Sequence, residues 1–194
     1  MAAPHIQIVI GSTRERRFGA SVAHWFADIA ASREDMDSEV VDLADWRLPL
    51  VSSPVPPAMA PPQDPLLQRW AAKVAAADGY VLVTPEYNHG YPAVLKNALD
   101  VVFTPWNRKP VSFVSYGSAG GGLRAVEQLR LVSIELEMVP LRQQVAIPRV
   151  YAALDDSGRP RDAHHADDAR RVLDEMAWWS AALRVARDRL QVPA

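Results

Sequence analysis

Cysteine is absent from this 194-residue chain, and its absence excludes disulfides, thiolate nucleophiles and four-sulfur metal sites at once. Any redox chemistry must then reside in a bound cofactor. An excess of charge is missing as well: the formal net charge is -2, which leaves no basic face for nucleic acid and none for anionic membranes. Long apolar runs are also missing, since no stretch reaches about 18 residues. Met1-Ala2-Ala3-Pro4-His5 lacks the basic and then apolar regions of a secretory leader. Together these gaps predict a soluble cytoplasmic protein with no nucleic-acid or membrane partner.

What is present reads as one domain, 1–194, long enough for a full core and too short for separate cofactor and substrate domains. Ile6 to Ile10 is rich in β-branched residues and almost wholly apolar, which suits a strand buried on both faces of a parallel sheet. A helix follows from about Ala20 to Ala31, with Val22, Phe26 and Ile29 on one side. Glu39 to Leu43 reads as a second strand. Leu48 to Pro65 holds seven prolines and can be neither regular helix nor central strand. It reads as a surface connector, and its length also suits the wall of a site.

A helix from about Pro65 to Ala77 leads to a third strand, Gly79 to Thr84, stopped by Pro85. Pro92 is placed as the first residue of the next helix, where its missing N–H costs nothing. Val111 to Ser115 gives a fourth strand, Gly120 to about Leu136 a helix, and Val139 to Ile147 a fifth strand ended by Pro148. A last helix, about Ala166 to Leu190, carries Val172, Met176, Trp179, Leu183 and Ala186 at helical spacing. Asp167 and Asp168 near its start and Arg187 and Arg189 near its end complement its dipole. Five strands alternating with five helices predict an open parallel α/β sheet covered on both faces. Ligands of such sheets bind beyond the carboxyl ends of the strands, where the strand order reverses.

The unusual loops follow strands one, three and four, as that rule requires. The first, Gly11-Ser12-Thr13-Arg14-Glu15-Arg16-Arg17-Phe18-Gly19, empties into a helix whose first N–H groups and positive dipole end favour an anion. It lacks the glycines of a dinucleotide fingerprint and the Lys-Ser/Thr of a Walker loop, so its hydroxyls and arginines suit a terminal phosphate monoester. By itself it reads equally as a helix cap with solvated arginines. In the second loop, Thr84 to Pro92, Asn88 and Gly90 can take left-handed conformations and turn the chain sharply. Its Tyr87, Asn88, His89 and Tyr91 suit a flat polar heterocycle, or else pack locally as a rigid turn. The third, Ser115-Tyr116-Gly117-Ser118-Ala119-Gly120-Gly121-Gly122, can turn successive N–H groups into a concavity, or act only as a flexible strand-to-helix turn.

With Leu95-Lys96-Asn97-Ala98-Leu99-Asp100 behind the second loop, the three motifs resemble the NADPH-dependent FMN reductase family of flavodoxin-like proteins. That family includes flavin, quinone, azo-dye and chromate reductases. The resemblance spans strand one to helix four, and it implies a flavodoxin-like three-layer sandwich with a parallel sheet of order 2-1-3-4-5, FMN at the three loops, and a homodimer or homotetramer. By position, Ser12, Thr13, Arg14, Arg17, Phe18 and Gly19 would hold the phosphate. Pro85, Glu86, Tyr87, Asn88, His89 and Gly90 would line the ribityl chain and isoalloxazine, and Ser115, Tyr116, Gly117 and Gly120 would face the flavin from the other side. The chain departs from the family pattern at Arg17-Phe18-Gly19, where many members carry Ser-x-Asn, and at Val101-Val102, where many carry an aromatic.

The implied chemistry is hydride transfer from NADPH or NADH to flavin and then two-electron transfer to a small acceptor in ping-pong fashion. A flavodoxin-like electron carrier is the alternative, although such carriers tend to be strongly acidic. No side chain is required as acid or base, so no catalytic residue is expected. Glu86 reads as a structural hydrogen-bonding partner, and His89 reads as either a substrate contact or a solvated turn residue. His164-His165 beside Asp167 and Asp168 read as a polar helix start, with no metal site expected because no second ligand set appears.

Overall fold

Side-chain alternation divides the first strand between two cores. In the computed structural model, which describes residues 3–190, Ile6, Ile8 and Ile10 of β1 (His5–Ile10) join one apolar cluster and Val9 the other. β2 (Asp37–Asp42), β3 (Gly79–Pro85), β4 (Pro110–Tyr116) and β5 (Val139–Ile147) complete a five-stranded sheet. Its order is β2-β1-β3-β4-β5 and every pairing is parallel. This is the flavodoxin-like order, with the reversal between β1 and β3. β3 and β4 are buried throughout, as strands covered on both faces must be.

α1 (Phe18–Ala30) and α6 (His164–Arg189) cover one face, with Val22, Phe26, Val172 and Met176 packed against the isoleucines of β1. α2 (Pro65–Ala75), α3 (Ala93–Asp100) and α4 (Leu123–Glu135) cover the other, around Tyr80, Leu82 and Phe113. Trp70 and Trp106 are fully buried there, each contributing about 1.5–3 kcal/mol by analogy with other large apolar side chains. Their indole N–H groups donate to Ala98 O at 2.9 Å and Leu99 O at 3.1 Å, so no buried donor offsets the gain.

Several boundaries differ from the sequence expectation for local reasons. β2 ends at Asp42 because its carboxylate accepts the Ala44 N–H at 2.9 Å and starts a short 3-10 turn. Pro92 is the N-cap of α3, not its first helical residue. α4 starts at Leu123, since Gly122 ahead of it is left-handed at φ +86° and cannot continue a helix. A short helix, α5 (Val150–Ala153), follows left-handed Arg149 and was not expected. The proline-rich segment is tied to α3 by Asn97, which donates to Pro49 O at 2.9 Å and accepts from the Val51 N–H at 3.2 Å. It encloses an apolar groove of about 520 Å³ that shares no lining residue with the clefts at the carboxyl edge. Val101 and Val102 are core residues. At the start of α6, His164 pairs with Asp162 at 2.7 Å, while Asp167 and Asp168 pair with Arg170 and Arg171.

Candidate functional site

The carboxyl ends of β1, β3 and β4 bring the three loops together. Gly11 leaves β1 with its N–H on Val83 O at 2.8 Å, and a Cβ there would stand 2.9 Å from Leu95 Cδ2 and 3.0 Å from Val83 O. Only glycine lets the first loop cross β3 this closely. The loop then rises through exposed Thr13, Arg14, Glu15 and Arg16, with Arg16 left-handed at φ +52°, and enters α1. Arg17 occupies the N-cap position without a side-chain capping bond, and the first turn of α1 carries no acid. The positive end of α1 is therefore open to an anion.

Arg17 itself turns sideways. Its guanidinium pairs with Asp42 at the end of β2 and donates to Arg14 O at 3.4 Å, while its buried Nε has no partner. Arg14 stacks its guanidinium 5.9 Å from the centroid of the Tyr87 ring. The hydroxyls of Ser12 and Tyr87 lie 2.7 Å apart and lock the first loop to the second.

In the second loop the Tyr87 N–H donates to Gly90 O at 2.8 Å and the Gly90 N–H to Tyr87 O at 3.0 Å. Asn88 and His89 between them have φ of +50° and +68°. This is the type I′ pattern, which needs positive φ at both central residues. The left-handed pair is thus Asn88 and His89, not Asn88 and Gly90, because the mutual bonds of Tyr87 and Gly90 put those residues outside the turn's centre. Gln128 of α4 donates to His89 O at 2.8 Å and holds the turn from behind.

Glu86 connects the second loop to the third. Its carboxylate accepts the Arg124 N–H at 3.1 Å and lies 3.2 Å from the Arg124 guanidinium. The cap that left-handed Gly122 cannot supply to α4 comes from Glu86, the structural partner its sequence context suggested. In the third loop, fully buried Ser115 donates to Gly121 O at 2.8 Å. A Cβ on Gly122 would stand 2.8 Å from Ser115 Cβ and 3.0 Å from Tyr116 N. Tyr116 is 4% exposed, and burial pushes its phenol well above the usual tyrosine range.

Two adjoining clefts result. One, of about 480 Å³, is lined by Arg14 to Phe18, Pro85 to Tyr87, Tyr116 to Ser118, and Val150 with Tyr151. The other, of about 330 Å³, is lined by Glu86, Asn88, His89, Ser118 to Gly122 and Arg124. Glu86 and Ser118 belong to both, and the two volumes together suit a mononucleotide-sized ligand. Of the expected residues, Ser12 and Ser115 sit behind the clefts as loop ties, Thr13 stands outside their walls, and Gly19 and Gly90 set backbone geometry. Arg124, Val150 and Tyr151 were not anticipated. Phe18 meets Tyr151 edge to face, with ring centroids 5.2 Å apart. The signal for Tyr151 lay in the topology, since a parallel β5 ended by Pro148 must deliver its next residues to this same edge.

Comparison with known proteins agrees with this geometry. The family model described as NADPH-dependent FMN reductase matches residues 4–152. An NAD(P)H-dependent FMN reductase of Schizosaccharomyces pombe is 40% identical over 152 residues, covering 75% of this chain and 74% of that protein. A 2-hydroxy-1,4-benzoquinone reductase of Burkholderia sp is 33% identical over 195 residues, covering 93% and 98%. Among solved structures, FerB, a flavoenzyme NAD(P)H:(acceptor) oxidoreductase from Paracoccus denitrificans, superposes with a TM-score of 0.74 at 20% identity, covering 93% of this chain and 98% of that one. The reversed parallel sheet, the loops gathered at its carboxyl edge and the match over residues 4–152 lead to one conclusion: the chain belongs to the NADPH-dependent FMN reductase family of oxidoreductases.

Proposed function

We propose that the chain, as one FMN-binding domain of residues 1–194, takes two electrons from NADPH or NADH and delivers them to a small acceptor in a ping-pong sequence. The observation that carries this reading is the cross-linking of the three loops, through Ser12 to Tyr87 and Glu86 to Arg124, into one lined cavity at the strand-order reversal. The donor set fits FMN. The uncapped start of α1 and the unpartnered Nε of Arg17 suit a phosphate, and the aromatic and backbone-rich walls around Tyr87 suit the ribityl chain and ring system.

Arg14 and the α1 amides bind the phosphate, with Arg17 contributing charge from the Asp42 side. The backbone of Pro85 to Gly90 and of Gly117 to Gly120 orients the flavin, held in shape by the type I′ turn and by Glu86. The chemistry that FMN supplies when bound is a two-electron relay between nicotinamide and acceptor. No side chain needs to move a proton in this scheme; preorganised N–H groups of the loops stabilise the charge of the reduced cofactor. Quinones lead the acceptor classes, since a relative covering 93% of the chain is named for one; azo compounds, flavins and metal oxyanions follow. Exposed Leu123, Leu131 and Ile134 on α4 support a homodimer or homotetramer, and a cytoplasmic location is part of the same proposal.

The test is spectral. The purified protein, incubated with FMN if colourless, is expected to be yellow and to bleach on anaerobic addition of NADPH or NADH, then to recover colour with a quinone. A yellow protein that does not bleach would instead be an electron carrier, and one that takes up no flavin would overturn the reading.

A further inference from the structure

Tyr116, the last residue of β4, sends its hydroxyl against the first turn of α1. A Cβ at Gly19 would stand 2.6 Å from Tyr116 Oη and 3.4 Å from Cζ. Arg17, at the N-cap position, makes no side-chain capping bond, so the phenol stands beside an uncapped helix start. Its ring lines the larger cleft together with Arg14 and Arg17.

Two of the other polar side chains near this helix start are engaged elsewhere, while exposed Arg14 faces the cleft. Ser12 is bound to Tyr87, and the Arg17 guanidinium to Asp42 and Arg14 O. A phenol hydroxyl has its own proton to donate, and the positive end of the helix beside it draws an anion to the same place. A neutral donor also carries no charge-burial cost at a position 4% exposed. Because burial makes it a weaker acid, the phenol keeps its proton throughout the neutral and mildly alkaline range.

We infer that the Tyr116 hydroxyl is a further donor, beside Arg14, by which this site distinguishes a flavin monophosphate from the unphosphorylated flavin, and that position 19 is glycine to make room for it. This deepens the FMN reading and rests on it. Any side chain at position 19 would meet the phenol from β4.

The experiment is a fluorescence-quenching titration of the flavin-free full chain with FMN and, separately, with riboflavin, for wild type, Tyr116→Phe and Gly19→Ala, after each variant's melting temperature is measured. Losing one hydrogen bond to a charged phosphate is expected to weaken FMN binding at least about 10-fold, with riboflavin affinity unchanged. The methyl of Gly19→Ala displaces the phenol and should lower the same FMN-to-riboflavin ratio, so it carries the test if Tyr116→Phe does not fold. An unchanged ratio in the folded variants would overturn the inference. Failure of the wild type to bind either flavin would instead overturn the FMN reading, before any variant is compared.

Discussion

The two edges of the sheet are built on opposite principles. At the amino edge Asp78, ahead of β3, accepts from Arg187 at 2.6 Å, Arg184 at 3.3 Å and the His5 N–H at 3.1 Å. Beside it the buried Lys109 ammonium donates to Val74 O at 3.2 Å, Ala75 O at 3.0 Å and Tyr80 Oη at 3.1 Å, closing the carboxyl end of α2. At the carboxyl edge the loops are full of left-handed residues, Arg16, Asn88, His89, Gly121, Gly122 and Arg149, the start of α1 is uncapped and Arg17 Nε is orphaned. The amino edge has left-handed Arg108 and Glu137 and an orphaned Ser180 Oγ of its own, but Asp78 and Lys109 tie it to its own chain, whereas the carboxyl edge opens into the two clefts. In an open α/β fold the separation lets a site carry strain without loosening the sheet beneath it.

The sharpest way to break the contrast is Asp78→Ala, which strips a mostly buried anion from two arginines and a strand N–H. A loss of about 3 kcal/mol in urea unfolding is expected, with FMN affinity unchanged; an equal loss of flavin binding would show that the edges are coupled. The converse change is Arg14→Ala, which should weaken FMN binding about 10-fold without altering the melting temperature, because Arg14 is exposed. Adding Arg17→Ala should bring the loss to about 100-fold. Unchanged affinity in the double variant would remove both arginines from the phosphate site.

A pH series sharpens the amino edge. Burial holds the Lys109 pKa down to about 8, below its usual 10.5. Between these values the unfolded chain binds a proton that the folded chain does not, so this group's contribution to stability rises with pH. Below pH 8 both states are protonated and the full cost of burying the charge is present. Wild type should therefore gain on Lys109→Met from about pH 8 to 10 by at most about 1.4 kcal/mol per pH unit; parallel stability curves would refute it. The smallest effect belongs to the other edge. His89→Gly relieves a left-handed side chain and should stabilise by about 0.5 kcal/mol, measured as a higher urea midpoint.

Much of this was legible in the chain itself. Ile6 to Ile10, Gly79 to Thr84 and Val111 to Ser115 are apolar over lengths that suit strands and end in turn-formers, because a strand covered on both faces has no polar side to present. The loops were visible for the complementary reason, as polar and glycine-bearing breaks at one end of each strand. What escaped was partnership. No local pattern reveals that Arg17 turns to Asp42, that Glu86 caps a helix 38 positions away, or that Ser115 faces inward to Gly121. Val150 and Tyr151 escaped because a four-residue helix has too little periodicity to register.

The amino-acid sequence alone determined the class of fold and which loops form the candidate site, since hydrophobic period, turn chemistry and strand-to-loop order are local properties that propagate to one topology. It also determined that redox chemistry is borrowed from a cofactor, because a chain without cysteine has no thiol couple of its own. Which donors remain for a phosphate was decided only by the tertiary structure. Hydrogen bonds between residues 75 positions apart, such as Ser12 with Tyr87, exist only after β1 and β3 lie side by side. The glycine at position 19 acquires its meaning only when the phenol of Tyr116 comes to rest against it.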